Sequence, residues 1–132
     1  MAEVLGALEQ IQLKIKAGEF RDALEMVSSA DESISSKPEL LYMEAVCHRF
    51  LKEYDLALRA LRRLKELLPE NGRAYQEEGH VYRSLGKTQQ AIVSFERATQ
   101  HNPALEVSFR SQLELLDEKT QPQRFKRVQE QL

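Results

Sequence analysis

Four residues carry side chains that readily bind metals: Cys47, His48, His80 and His101. Cys47 and His48 are adjacent, so on a helix they point in different directions. His80 and His101 fall on different predicted helices. No Cys-x-x-Cys or His-x-x-x-His spacing occurs, and the pattern points away from a metal site. The carboxylate pairs Glu77-Glu78 and Asp117-Glu118 are neighbours in sequence, so their side chains diverge. They read as charge on a solvated helix face, not as an acid–base pair. Cys47 lies mid-helix in a core-like setting, where a thiol is inert packing. No glycine-rich phosphate loop and no nucleophile elbow is present. The chain reads as a non-enzyme, with no cofactor and no metal expected.

The remaining chemistry is cationic. Arg49 and Arg83 lie 34 residues apart, and Arg73 and Arg110 are two further arginines expected nearby. Arg59, Arg62, Arg63 and Lys65 form a basic run, which reads as a solvated face or, alternatively, a docking patch. Yet the formal net charge is -2, and 30% of residues are charged. That balance argues against a nucleic-acid binder, which carries a basic stripe.

The elements that must position these residues repeat. Ala23, Ala57 and Ala91 are spaced by 34, and so are Val27, Leu61 and Phe95, and Ala30, Leu64 and Ala98. Pro69 and Pro103 close the second and third units. A fixed period of this length marks a helical repeat array. Residues 72–85 and 88–101 form the clearest helix pair, with Gly86 ending the first helix through positive φ. Asn102-Pro103 is expected to stop the second helix and start the next. The second unit, 38–71, opens on a capping box from Ser36 to Glu39. The first unit, about 4–37, carries the stripe Val4, Leu8, Ile11 and Ile15. A one-residue slip there puts Leu8 and Ile15, not Ala7 and Lys14, at the plugging places. A seventh helix over 104–118 shows Leu105, Phe109, Leu113 and Leu116 on one face.

Tyr75-x2-Glu78-Gly79-x2-Tyr82, followed by Ala91-x3-Phe95, Ala98 and Pro103, resembles the tetratricopeptide repeat signature. The resemblance covers roughly residues 4–105. It implies an all-α fold, a right-handed α-solenoid of three helix-turn-helix repeats plus C-terminal capping helices. The repeats span about 4–37, 38–71 and 72–105. The array covers 1–118 and a capping or tail helix covers 119–132. Glu78 stands where the family has leucine, Glu44 matches it one unit earlier, and His48 replaces an aromatic.

In that family the first helix of each pair lines a concave surface, and the array holds a protein or peptide partner. The resemblance maps this surface onto Glu39, Tyr42, Val46, Arg49 and Phe50, then Arg73, Gln76, Glu77, His80, Arg83 and Ser84. Val107, Arg110 and Glu114 extend it, with Leu5, Gln12 and Lys16 at the other end. Tyr42, Arg49, Phe50, Arg73, His80 and Arg83 are the candidate contact residues. Arginines at this density suit an acidic peptide or a terminal carboxylate. Alternatively they pair with Glu39, Glu77 and Glu114 as surface networks. Family members that grip the terminal carboxylate of chaperones use two asparagines and three cations. Here Gln12 and Val46 stand at the asparagine places and Leu8 and Glu77 at two cation places. Only Arg73 remains, which disfavours that clamp.

Two further readings stand beside the scaffold. Bacterial proteins resembling this layout place such repeats ahead of a catalytic domain, sulfotransferase domains among them. The chain stops inside a helical stripe, which suits a docking module of a longer protein. The stripe Phe125, Val128 and Leu132 either folds back on the seventh helix or pairs with a second copy as a homodimer. One cysteine, no signal peptide and no apolar run of membrane length point to a soluble, cytoplasmic protein without membrane contact.

Overall fold

A computed structural model describes residues 2–30, 37–116 and 121–131, with side chains from residue 6 onward. Ser36, Asp117, Glu118 and Leu132 lie outside the described residues, as do the side chains of Val4 and Leu5. The chain divides into two compact units, Met1–Pro69 and Glu70–Leu132. The first holds α1 (Ala2–Lys16), α2 (Phe20–Ser29), α3 (Lys37–Phe50) and α4 (Tyr54–Leu67). The second holds α5 (Gly72–Ser84), α6 (Thr88–His101), α7 (Glu106–Leu115) and α8 (Pro122–Gln131). Each helix packs on its neighbour in sequence within its unit, and α1 also touches α3.

The pairs α1/α2, α3/α4 and α5/α6 turn in the same way. Gly18, Lys52 and Gly86 take positive φ, at 77°, 62° and 75°. In each turn the amide of this residue donates three residues back and the next amide donates five back. The second bonds are Glu19 N to Lys14 O at 2.9 Å, Glu53 N to His48 O at 2.8 Å and Lys87 N to Tyr82 O at 2.9 Å. This pair of hydrogen bonds satisfies orphan carbonyls of the first helix. Glycine does so without steric cost; Lys52 carries a Cβ into a region that L-residues avoid.

Small residues set the distance between paired helices. Ala23, Ala45, Ala57 and Ala91 are fully buried. At Gly79 a Cβ would lie 2.7 Å from Phe95 Cε1, so only glycine admits the ring of Phe95, itself fully buried. In the first unit Ile11 is buried against Ala23, Leu40, Met43 and Cys47, with Leu8 and Ile15 packed beside it. Lys14 points away and bonds Glu19 at 2.8 Å, as the slipped register requires.

Two expectations change. Helix α7 begins at Glu106, not at residue 104. Asn102 ends α6, and its Oδ1 accepts from the Ala104 amide at 3.1 Å, so residues 102–104 form a turn first. The α5 pair Glu77 and Glu78 is buried, not solvated, at 4% and 7% exposure. Close approach of α6 at Gly79 brings Ser94 to Glu78 as a donor.

Helix α8 lies on α7. Val128 is buried with Ile92, Phe109 and Leu116, and Phe125, Leu113 and Leu115 pack around them. Arg124 bonds Glu96, tying α8 to α6 as well.

Candidate peptide-binding surface

The candidate residues of the first unit lie on α3. Phe50, its last residue, is 51% exposed and stacks on Phe20 with centroids 4.9 Å apart and planes parallel within 1°. The Arg49 guanidinium carbon stands 4.4 Å from the Phe50 centroid. Cation, ring and ring thus form one platform at the end of α3, half of Phe50 still reaching water. Tyr42 is partly buried two turns earlier on the same helix. Phe20 was not among the sequence candidates. The signal was its place two residues after Gly18, where a helix start meets the end of the neighbouring α3.

Beneath the platform a carboxylate holds three helices. Glu53 accepts from Arg21 Nη2 at 2.7 Å and from His48 Nδ1 at 3.0 Å. The Arg21 bond first, then the His48 bond, holds the Glu53 carboxyl below its ordinary range. The clasp repeats Lys14–Glu19 at a spacing of 34, which sequence inspection could have found.

In the second unit Arg73 and Arg83 are exposed on α5 and His80 is partly buried. Arg83 is not an unpaired cation: its Nη2 meets Glu114 Oε2 on α7 at 2.7 Å. Tyr42, Arg49, Arg73 and His80 also have partners. For Arg83 the partner is Glu114, one of the acceptors the surface-network alternative names. His80 sets its ring edge-on to Phe95 at 5.2 Å, which fixes it over the Gly79 contact. Ser108 donates to Gln76 Oε1 at 2.7 Å, tying α7 to α5.

Cys47 is buried, and desolvation pushes its thiol up to about 11. Among the described residues no cluster of three or more His, Cys, Asp or Glu side chains is arranged to hold a metal ion. No described helix is long and apolar enough to cross a membrane.

Residues 72–105, the α5/α6 pair with its closing turn, match the family model of the tetratricopeptide repeat. Residues 72–105 thus form a tetratricopeptide repeat. Solved structures of such repeats share the chain's fold across nearly its whole length. The first tetratricopeptide domain of human RPAP3 is 17% identical, with 96% of this chain and 95% of that chain covered and a TM-score of 0.77. A MamA crystal structure is 23% identical over 97% and 77% of the two chains, with a TM-score of 0.78. The first tetratricopeptide domain of Spaghetti (RPAP3), bound to the HSP90 peptide SRMEEVD, is 19% identical over 85% and 89%, with a TM-score of 0.74. At these identities the likeness establishes the all-α repeat fold. No curated protein sequence matches the chain.

Proposed function

We propose that this protein is a peptide- or protein-binding scaffold. Its contact residues are Tyr42, Arg49 and Phe50 on α3 in the first unit and, taken separately, Arg73, His80 and Arg83 on α5 in the second. The observation that carries the reading is the Arg49–Phe50–Phe20 platform. A half-exposed aromatic ring fixed by a stacked cation and a second ring is the kind of rigid anchor that partner surfaces use. The pairing of cation and ring suits an acidic segment with an apolar side chain. The Spaghetti domain, of the same fold, holds a peptide with the sequence SRMEEVD. Arg83 exchanges Glu114 for a ligand carboxylate at little cost, because an exposed ion pair is weak. The scaffold reading assigns the chain no catalytic step. Its buried Cys47 suits the reducing cytoplasm.

The test is titration of the full chain with a labelled acidic peptide, followed by anisotropy. Arg49→Ala and Phe50→Ala should each weaken binding about tenfold, and added salt should weaken it further. Unchanged affinity in both variants removes the reading.

Burial of Val128 within its own unit supports α8 as a cap, not a dimer contact. Removal of residues 121–132 should then lower the melting temperature of a monomer. A dimer that becomes a monomer on truncation would favour self-association instead.

A further inference from the structure

A second surface lies within the first unit, away from the Arg49 platform. Helices α2, α3 and α4 enclose a cleft of about 220 Å³, floored by Leu24, Val27, Leu40 and Leu41 and rimmed by Lys37 and Arg63. That volume is below the few hundred Å³ of ordinary small-molecule sites and suits one large side chain. The rim carries two cations against one carboxylate, Glu44, and Glu44 already faces His48 at 4.0 Å.

Arg63 continues into an exposed stripe on α4. Helical spacing aligns Leu56, Arg59, Arg63 and Leu67 on one side, with Arg62 flanking them. Leu56 is 38% exposed and Leu67 is 47% exposed. Lys37, Arg59, Arg62 and Arg63 form no ion pair among the described residues. Asp55 and Glu66 stand within one turn of these arginines on the same helix and still leave them unpaired. Four available cations beside an apolar cleft are complementary to one kind of ligand. We propose that this cleft and the α4 stripe bind an acidic peptide segment of a partner protein that inserts one bulky apolar side chain. The apolar side chain fills the Leu24–Leu40 floor. Carboxylates on either side of it meet Lys37 and Arg63, and then Arg59. The net charge of -2 opposes a nucleic acid as the occupant.

The probe is a fluorescein-labelled peptide with a central leucine between glutamates, titrated into the full chain. Binding should weaken at least tenfold with Arg63→Glu, and again when the peptide leucine becomes serine. Raising salt should weaken it in the wild type. A lysine-for-glutamate peptide should regain affinity for an Arg59→Glu, Arg63→Glu double variant, which a merely unfolded protein cannot do. Because the Arg49 platform also suits acidic peptides, the titration is repeated in an Arg49→Glu background, where binding that persists and falls with Arg63→Glu belongs to the cleft and so separates the two sites. Loss with Arg49→Glu and not with Arg63→Glu would overturn the proposal. So would absence of binding up to millimolar peptide, or cosedimentation with phosphatidylserine vesicles without peptide binding.

Discussion

Ser94 Oγ donates a 2.8 Å hydrogen bond to Glu78 Oε1, and both side chains are buried between α5 and α6. A polar contact thus stands where the repeat family has an apolar one. Removing the hydroxyl leaves a buried carboxylate short of a donor. Ser94→Ala should therefore cost about 1.5–3 kcal/mol, the range for hydrogen bonds to charged groups. Denaturant unfolding measures it. A change below the error of the midpoint would show that Glu78 draws its stabilisation elsewhere.

Gly79→Ala should destabilise by roughly 1–3 kcal/mol, as overpacking does. The added methyl would meet three atoms of the Phe95 ring within 2.8 Å, and that ring is fully buried and cannot swing aside. Restoring space with Phe95→Leu in the same chain should recover part of the loss. If the single variant melts like the wild type, the helices do not approach this closely.

Lys52→Gly should stabilise the chain by about 0.5–1 kcal/mol. Lys52 holds the left-handed conformation that glycine takes at Gly18 and Gly86. The gain is relief of Cβ strain, less the extra backbone entropy of unfolded glycine. A lowered melting temperature would mean that the lysine side chain contributes something its turn does not show.

Acid should loosen the first unit through Glu53. Its folded carboxyl titrates below the ordinary 4.5, chiefly because Arg21 bonds it and then because His48 does. The contribution is present above the unfolded value and is lost as pH falls through the lowered folded value. The melting-temperature gap between wild type and Glu53→Gln should be constant near neutrality and shrink in that acidic window. A gap that persists through acid would place the effect outside the ionised carboxylate.

Cys47 should resist alkylation in the native chain at pH 8. Its thiol is fully buried and pushed up to about 11. Labelling by iodoacetamide should track unfolding and rise sharply in denaturant. Rapid labelling of the folded chain would mean that α3 opens locally.

Particular residues separate what was legible early from what was not. The spacing of 34 that joins Ala23, Ala57 and Ala91 was enough to locate the helix pairs, because side chains at fixed helical intervals must share a face. Gly86 marked its turn for the same local reason. The turn at Lys52 was visible only by its place in the period. Local rules also judged Lys14 correctly as a poor plug.

The fate of the polar side chains depended on what approached from other helices. Glu77 and Glu78 resemble any exposed acidic pair in sequence, yet both are buried, and Ser94 on α6 turns its hydroxyl to Glu78. Whether Arg83 faced a ligand or Glu114 stayed open until α7 carried Glu114 to it, 31 residues along the chain. Phe20 and Phe50 lie on different helices, and only packing made them a stack. Periodicity reports which face of a helix is apolar, a property of the residues themselves. Hydrogen bonds, ion pairs and clefts depend on atoms brought together within a few ångströms, and tertiary structure alone sets those distances.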